Sequence, residues 1–372
     1  MKVLVTGSNG FIAKNLIATL KEIKSFSIEV FSRDDNASNL FDLVKKCDAI
    51  VHLAGENRPK NIDSFANSNV GLTQIVCDAI GQEFVEKGRK IKLLYASSTQ
   101  VTEASPYGKS KLECEALIHD LVNSHGVSCC IYRFPGIFGK WCRPNYNSVV
   151  ATFCYNIARG LPIRVDNPDS EFKLIYIDDV VNEIINDLQS IFSGIKFGQV
   201  FPEYMITTGE LAKKIENYKI GRENMIIESV GSGIDRALYS TYISNLPKGN
   251  FAYQVAQHCD ERGVFVEMLK TSSNGQFSFF TAHPGVTRGS HFHHTKTEKF
   301  LVIQGNALFR YRDISSGDVY EFKINSKKSM IVDTIPGWAH EVTNIGQDDL
   351  IVMLWANEVF DQDNPDTFMS EV

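Results

Sequence analysis

Residues 1–13 read MKVLVTGSNGFIA. Lys2 to Val5 is a short apolar run, Thr6-Gly7-Ser8-Asn9-Gly10 interrupts it, and Phe11-Ile12-Ala13 starts a stretch with helical periodicity. A strand therefore runs into a helix through a turn of small residues, in the pattern GxxGxxA. Small residues at Gly7, Gly10 and Ala13 allow a tight turn and let a pyrophosphate approach the helix amino terminus, with Asn9, Phe11 and Ile12 on the same turn. The second strand ends in Val30-Phe31-Ser32-Arg33. NAD binders usually place an acid there for the ribose hydroxyls, whereas Ser32 and Arg33 suit the 2′-phosphate of NADP(H); a solvated loop charge is the alternative for Arg33.

Working outward, short apolar runs (SIEVFS, DAIVHLAG, IKLLYASS, VSCCIYRF) alternate with amphipathic stretches such as KNLIATLKEI. Such alternation predicts βαβ units with right-handed crossovers. Runs apolar on consecutive positions, as at Ala49-Ile50-Val51, suit strands covered on both faces, so a Rossmann-type, doubly wound parallel α/β sheet is expected. From about residue 250 the texture changes to short β-rich runs separated by Gly, Asn, Asp and Ser turns, which predicts an all-β sandwich or barrel. Ser240 to Gly249 is the natural linker, giving domains at 1–245 and 250–372.

The 372 residues fit two cores, and 43% apolar with 22% charged residues is the balance of a globular protein. A net charge of −6 offers no basic footprint for nucleic acid. No apolar run is long enough for a membrane span and no signal-peptide pattern opens the chain, so a cytoplasmic location is expected. The eight cysteines form no CxxC pair, which indicates buried thiols rather than a disulfide framework or a thiolate zinc site.

Tyr107 and Lys111 form YxxxK on a predicted helix, and a spacing of four puts both on one face. A nearby ammonium is expected to lower the phenol pKa, so that Tyr107 exchanges a proton with a substrate oxygen while a nicotinamide carries hydride. Ser98, closing the strand LLYASS, can hydrogen-bond the same oxygen. With GSNGFIA, HLAG at His52–Gly55, Asn69, YASST, PYGKSK and YIDDV, roughly residues 1–245 resemble the short-chain dehydrogenase/reductase family in its extended nucleotide-sugar branch. The resemblance implies Ser98, Tyr107 and Lys111 as the catalytic group and Gly7, Gly10, Arg33, Leu53, Ala54 and Gly55 near the cofactor. It implies substrate contacts at Asn69, at Arg143 and Asn145 within FPGIFGKWCRPNYNS, and at Arg159. Gly136 stands where that branch usually has Asn, and Thr99-Gln100 replaces the acidic pair of sugar dehydratases, which favours ketone reduction over dehydration.

Six of the nine histidines lie beyond residue 250. His291 and His293, at period two, share one face of a strand, Glu298 begins the next, and His340 can return across a barrel. Imidazoles with a carboxylate suit Zn2+ or another divalent transition metal. His283 and His294 are left over as solvated or supporting groups. GVTRGSHFHHTKTEKFLVIQG and PGWAHEVTN resemble the two motifs of the cupin family, which implies an all-β jelly-roll barrel. Asp260-Glu261-Arg262-Gly263, Glu267 and Arg288 look like the cupin epimerases of 4-keto deoxysugar nucleotides, and the likeness makes Arg262, Glu267 and Arg288 nucleotide or substrate contacts. His291 corresponds to the base of metal-free epimerases yet sits where a ligand belongs, so the metal is either a Lewis acid working with another base, or structural.

The whole chain resembles bifunctional capsular-polysaccharide enzymes that form UDP-N-acetyl-6-deoxytalosamine on the route to UDP-N-acetylfucosamine. That resemblance implies a UDP-linked 4-keto-6-deoxy-N-acetylhexosamine epimerised at C3 and then reduced at C4 by NADPH, in a homodimer. The alternative is an NADPH-dependent 4-keto sugar reductase whose metal-binding barrel serves structure or dimerisation only.

Overall fold

The computed structural model describes residues 1–57, 65–271 and 273–372. The chain separates into two compact units, Met1–Ile215 with Ser232–Pro247, and Glu216–Gly231 with Lys248–Val372.

The strands of the first unit are β1 (Lys2–Thr6), β2 (Ser27–Phe31), β3 (Ala49–His52), β4 (Lys92–Ser98), β5 (Cys129–Phe134), β6 (Gly136–Phe138), β7 (Glu171–Tyr176), β8 (Ile195–Gly198) and β9 (Tyr204–Thr207). Its helices are α1 (Phe11–Glu22), α2 (Ser38–Val44), α3 (Leu72–Lys87), α4 (Pro106–His125), α5 (Val149–Ile157), α6 (Ile177–Gln189), the start of α7 (Thr208–Asn224), which passes into the second unit at Glu216, and α8 (Gly233–Ser244). The main sheet is parallel, in the order β2-β1-β3-β4-β5-β8. Val3, Leu4 and Val5 are fully buried, as are Leu93 and Leu94, because helices cover both faces. On one face Val76, Ile80, Cys114 and Ile118 of α3 and α4 pack on Leu4, Ile50, Leu93 and Ile131; each such side chain contributes about 1.5–3 kcal/mol. A small sheet, β6-β7-β9, pairs β6 with β7 in parallel and β7 with β9 antiparallel.

The second unit contains β10 (Gln257–Asp260), β11 (Gly263–Thr271), β12 (Gly275–Ala282), β13 (Thr287–Phe292), β14 (Glu298–Gln304), β15 (Asn306–Asp313), β16 (Val319–Asn325), β17 (Ile331–Asp333), β18 (Trp338–Asn344), β19 (Leu350–Ala356) and β20 (Phe368–Met369). They form two antiparallel sheets, β10-β11-β12-β19-β14-β17 and β16-β15-β18-β13-β20. Phe280, Phe300, Val352 and Leu354 from the first meet Phe309, Tyr311, Ile324 and Val342 from the second in one core. The period-two alternation of buried residues along β12 and β19 produces that packing. The residues after α7 also belong here: Lys270 donates its backbone N–H to Met225 O (2.7 Å) and accepts from Ile227 N (2.8 Å). Seven cysteines are buried and Cys259 is exposed. Among the described residues no helix is long and apolar enough to cross a membrane.

Candidate functional site

In the first unit the chain runs from β1 outward to β2 and returns to β3 on the other side of β1, which opens a crevice at the carboxyl ends of these strands. A cavity of about 800 Å³ lies there, and Gly7, Asn9, Gly10, Phe11, Ile12, Arg33, Leu53 and Gly55 line it together with Ser98, Tyr107 and Lys111. Helix α1 starts on Gly10 with no capping side chain and no acid in its first turn. Its first backbone N–H groups and positive dipole end therefore remain available to a phosphate. Gly7 has φ +69°, and a Cβ on it would lie 2.7 Å from Ala54 Cα, so only glycine fits between the two backbone segments.

Helix α4 carries Tyr107 and Lys111. Ser105 caps it by accepting from Gly108 N (3.0 Å), and Pro106 occupies the first turn, where no amide is needed. Gly108 is required by space: a Cβ there would meet Gln100 O at 2.1 Å. This close seat presses the start of α4 against the turn after β4 and so brings Tyr107 beside Ser98 on the cavity wall. Burial raises the Tyr107 phenol above its ordinary value, and the neighbouring Ser98 hydroxyl only partly offsets that. Lys111 is buried; its Nζ donates to Ala96 O (2.7 Å) and Tyr95 OH (3.3 Å) and stands 6.0 Å from the Tyr107 ring centroid. Burial pushes Lys111 down to about 8. The lowered phenol pKa expected from YxxxK spacing is thus not found, because the ammonium is turned toward Tyr95 and Ala96 and burial governs the phenol.

Below the cavity lies a polar chain that the motif reading missed. His52, fully buried, joins Thr6 Oγ1 (2.7 Å, Nδ1) to Thr73 Oγ1 (3.1 Å, Nε2), and Thr73 donates to Asn69 O (2.8 Å). Burial, with Lys111 nearby, pushes His52 down to about 3, so it is neutral, donating from Nε2 and accepting at Nδ1. Thr6 Oγ1 also accepts from Ala54 N (3.2 Å), which ties this chain to the turn beside Gly7. Thr6 and His52 are direct partners in the β1–β3 register. The available signal was two polar residues at matching strand ends inside otherwise apolar runs.

Of the expected substrate contacts, Arg143 lines the cavity, its guanidinium 5.0 Å from the Tyr146 ring. Asn145 shares that loop at φ 53°, with its N–H on Thr152 Oγ1 (3.0 Å), and is not among the lining residues. Asn69 is spent on Glu56 N (2.7 Å), Glu56 O (3.0 Å) and Ser110 Oγ (3.1 Å). Arg159 donates to Tyr155 O (3.1 Å) and Asn245 O (2.8 Å) and stacks on the Tyr155 ring, also outside the lining set. Ser32 is bound to Asp35, and Arg33 meets Glu56 at 3.4 Å. Trp141, Cys142 and Asn147, within the FPGIFGKWCRPNYNS segment that the resemblance sets near the sugar nucleotide, also line the cavity, as does Gln100 of the Thr99-Gln100 pair.

In the second unit the nitrogen and oxygen atoms of His291, His293, Glu298 and His340 lie within 4.8 Å of one another. β13 and β18 bring His291 opposite His340 across a register shift after Gly289. Glu298 Oε2 is 3.4 Å from His293 Nε2 and 3.6 Å from His340 Nε2. His293 Nδ1 is hydrogen-bonded to Asp366 O, which turns Nε2 into the cluster as a lone-pair donor. His340 Nε2 is buried with no hydrogen-bond partner. Burial and the facing His340 and His293 push His291 down to about 4. Burial would raise Glu298, but His293, His340 and Lys296 outweigh it and hold the carboxyl well below its ordinary range. An orphaned nitrogen, three imidazoles and a carboxylate converging on one point fit a divalent transition metal.

Arg262 and Arg288 both reach Asp260, at 2.6 Å and 3.6 Å. Arg288 Nη2 is buried without a hydrogen bond, while its Nε donates to Thr281 O (2.8 Å). Glu267 pairs with Lys270 at 2.8 Å. His283 pairs with Asp349 (2.8 Å), and the His294 ring meets Phe292 and Phe368.

The chain matches the NAD dependent epimerase/dehydratase family over residues 3–198 and the polysaccharide biosynthesis C-terminal domain over residues 258–368. It is 50% identical, over 100% of its own length and 99% of the relative's, to the UDP-2-acetamido-2,6-beta-L-arabino-hexul-4-ose reductase of Pseudomonas aeruginosa. A solved structure of the capsular polysaccharide assembling protein CapF from Staphylococcus aureus superposes with TM-score 0.91 at 37% identity, covering 100% of both chains. UDP-glucuronic acid 4-epimerase of Bacillus cereus, at 18% identity and TM-score 0.54, shares the fold over 66% of this chain.

Proposed function

The chain belongs to the NAD dependent epimerase/dehydratase family, and from that premise we propose that its first unit reduces the C4 ketone of a UDP-linked 4-keto-6-deoxy-N-acetylhexosamine with NADPH. The second unit, read as a jelly-roll barrel of the cupin type, epimerises C3 of the same sugar beforehand, and the product is a capsular-polysaccharide precursor. A single observation carries the reduction: a chain 50% identical over its full length to a UDP-keto-sugar reductase places Ser98, Tyr107 and Lys111 on the wall of one cavity. The order follows from chemistry, since the ketone acidifies the neighbouring C–H and its reduction removes that activation.

Gly7, Gly10 and the open end of α1 would hold a nicotinamide dinucleotide, which would supply the hydride. Tyr107 gives its phenolic proton to the ketone oxygen, and the Ser98 hydroxyl orients that oxygen by hydrogen bonding. Lys111, anchored on Ala96 O, holds positive charge within reach of the same site. The neutral His52 chain keeps the Gly7 and Ala54 turns in register without adding charge. Ser32 and Arg33 support NADPH over NADH, the Arg33–Glu56 pair being exposed on the arginine side and free to rearrange. His291, His293, Glu298 and His340 would hold a divalent ion such as Zn2+, which supplies Lewis-acid polarisation or braces the two sheets. Arg262 and Arg288 are proposed to bind the nucleotide or the sugar; the orphaned Nη2 of Arg288 supports this. A homodimer is part of this reading by resemblance, and sedimentation of the full chain checks it.

One observation favours a second reading, a reductase whose second unit is structural. His291 lies inside the ligand set, and an imidazole lone pair committed to a metal cannot accept the C3 proton. Incubating the full chain with the 4-keto substrate in D2O without NADPH separates the two. Deuterium at C3, undiminished in Tyr107→Phe while NADPH oxidation is lost, supports the epimerase; no deuterium leaves reduction alone.

A further inference from the structure

The segment Asp366–Val372 takes no part in either reaction above, yet it is built into the histidine cluster from behind. The carbonyl of Asp366 accepts the Nδ1–H of His293. Its carboxylate accepts His294 N (2.9 Å) on one oxygen, and Thr295 N (2.7 Å), Lys296 N (2.7 Å) and Thr295 Oγ1 (3.0 Å) on the other. Those residues form the turn that joins His293 to Glu298. Beyond it, β20 adds to β13 with Met369 opposite His291 and Phe368 opposite Phe292, and Ser370 N donates to Ser290 O (3.0 Å). Arg312 holds Ser370 Oγ (2.8 Å) and Glu371 O (2.9 Å), and Arg310 holds Val372 O (3.2 Å).

We propose that Asp366 is the positioning residue of a metal centre at His291, His293, Glu298 and His340, and that Asp366–Val372 is the strap that preorganises its ligands. This rests on the reading that the cluster holds a metal. One carboxylate that takes three backbone N–H groups and a hydroxyl fixes the turn between two ligands before any ion arrives. The carbonyl of the same residue selects the His293 tautomer whose Nε2 lone pair points inward. The ordering cost is then met by the fold instead of by the ion, so the ion binds more tightly and in one geometry. The link spans 73 residues of sequence, which is why it has no local motif.

The test uses the full chain stripped with chelator and titrated with Zn2+ against a chromophoric competitor, and with Co2+ followed by its d–d absorption. Asp366→Ala removes the carboxylate brace, Asp366→Asn keeps its volume with fewer acceptors, and a chain ending at residue 365 removes the carboxylate and the carbonyl together. Thr343→Ala, which deletes only the hydroxyl partner of Thr287 elsewhere on β13–β18, controls for general loosening of the sheet. Loss of Zn2+ affinity by about 10- to 100-fold in Asp366→Ala, a smaller loss in Asp366→Asn, a weakened or shifted Co2+ spectrum and an unaffected Thr343→Ala are expected. Wild-type affinity and an unaltered Co2+ spectrum in Asp366→Asn and in the shortened chain would overturn the proposal while leaving the metal site standing. Failure of the wild-type chain to bind Zn2+ or Co2+ would overturn the metal reading, and this one with it.

Discussion

Gly7→Ala strikes the turn that the first unit's fold and its cofactor site share. Gly7 has φ +69°, and its added Cβ would lie 2.7 Å from Ala54 Cα and 2.8 Å from Ala54 N. Both are backbone atoms that cannot rotate aside, and Thr6 Oγ1 further fixes Ala54 N at 3.2 Å. A left-handed alanine costs about 1–2 kcal/mol, and an overpacked methyl about 1–3 kcal/mol more. The first unit should therefore lose about 2–5 kcal/mol, or roughly 4–20 °C in Tm at 2–4 °C per kcal/mol. Gly10→Ala is the comparison: its φ is −75° and its Cβ meets only Gly7 O, at 3.0 Å, so it should cost clearly less stability. Unfolding is followed by the fluorescence of Trp141 in the first unit against Trp338 and Trp355 in the second, using single-Trp versions, and NADPH affinity by fluorescence titration. Gly7→Ala is expected to lower the first transition, leave the second unchanged and weaken NADPH by more than tenfold. Wild-type stability with wild-type NADPH affinity would refute the argument that the Gly7–Ala54 contact sets this turn.

Tyr107→Phe should lower kcat for ketone reduction by about 10²- to 10⁴-fold with NADPH binding retained, read in stopped-flow at saturating cofactor. Lys111 has its pKa lowered by burial to about 8 from 10.5. The unfolded chain therefore binds more protons between those values, and unfolding free energy rises with pH across that window, by up to about 3 kcal/mol. Denaturant curves at pH 7.5 and pH 9.5 should show the rise in wild type and its loss in Lys111→Met. Zn2+ at a hundredfold excess over its Kd should stabilise the second unit by about 2.7 kcal/mol, and chelation should reverse it; an unmoved Trp338 transition would count against the cluster. His340→Ala should abolish that stabilisation.

The readings that held were those confined to one element or one turn. The strand–turn–helix at Val3–Ala13 was legible because a period change and two glycines lie within eleven residues, and the alternating parallel strands because consecutive apolar positions need cover on both faces. His291 in β13 and His293 just past its end, at period two, reach one cluster for the same local reason. A closed barrel was expected in the second unit, and the described ladders form two antiparallel sheets around a shared core.

What failed or was missed depends on contacts distant in sequence. Lys111 is turned to Tyr95, 16 residues away, and Ala96, so YxxxK spacing did not foretell the direction of the Tyr107 pKa. Asn69 and Arg159 have residue types suited to a sugar nucleotide, and their bonds to Glu56 and Ser110 and to the carbonyls of Tyr155 and Asn245 could not be read from residue type alone. Asp366 joins a turn that it follows by some seventy residues. By itself the sequence determined the residue types, their faces and the turn that can receive a pyrophosphate, because backbone geometry converts short spacings into directions. Only the tertiary structure decided which polar atoms remain free to act and which are already bonded, because hydrogen-bond partners and burial are set by packing between strands and helices that no local spacing records.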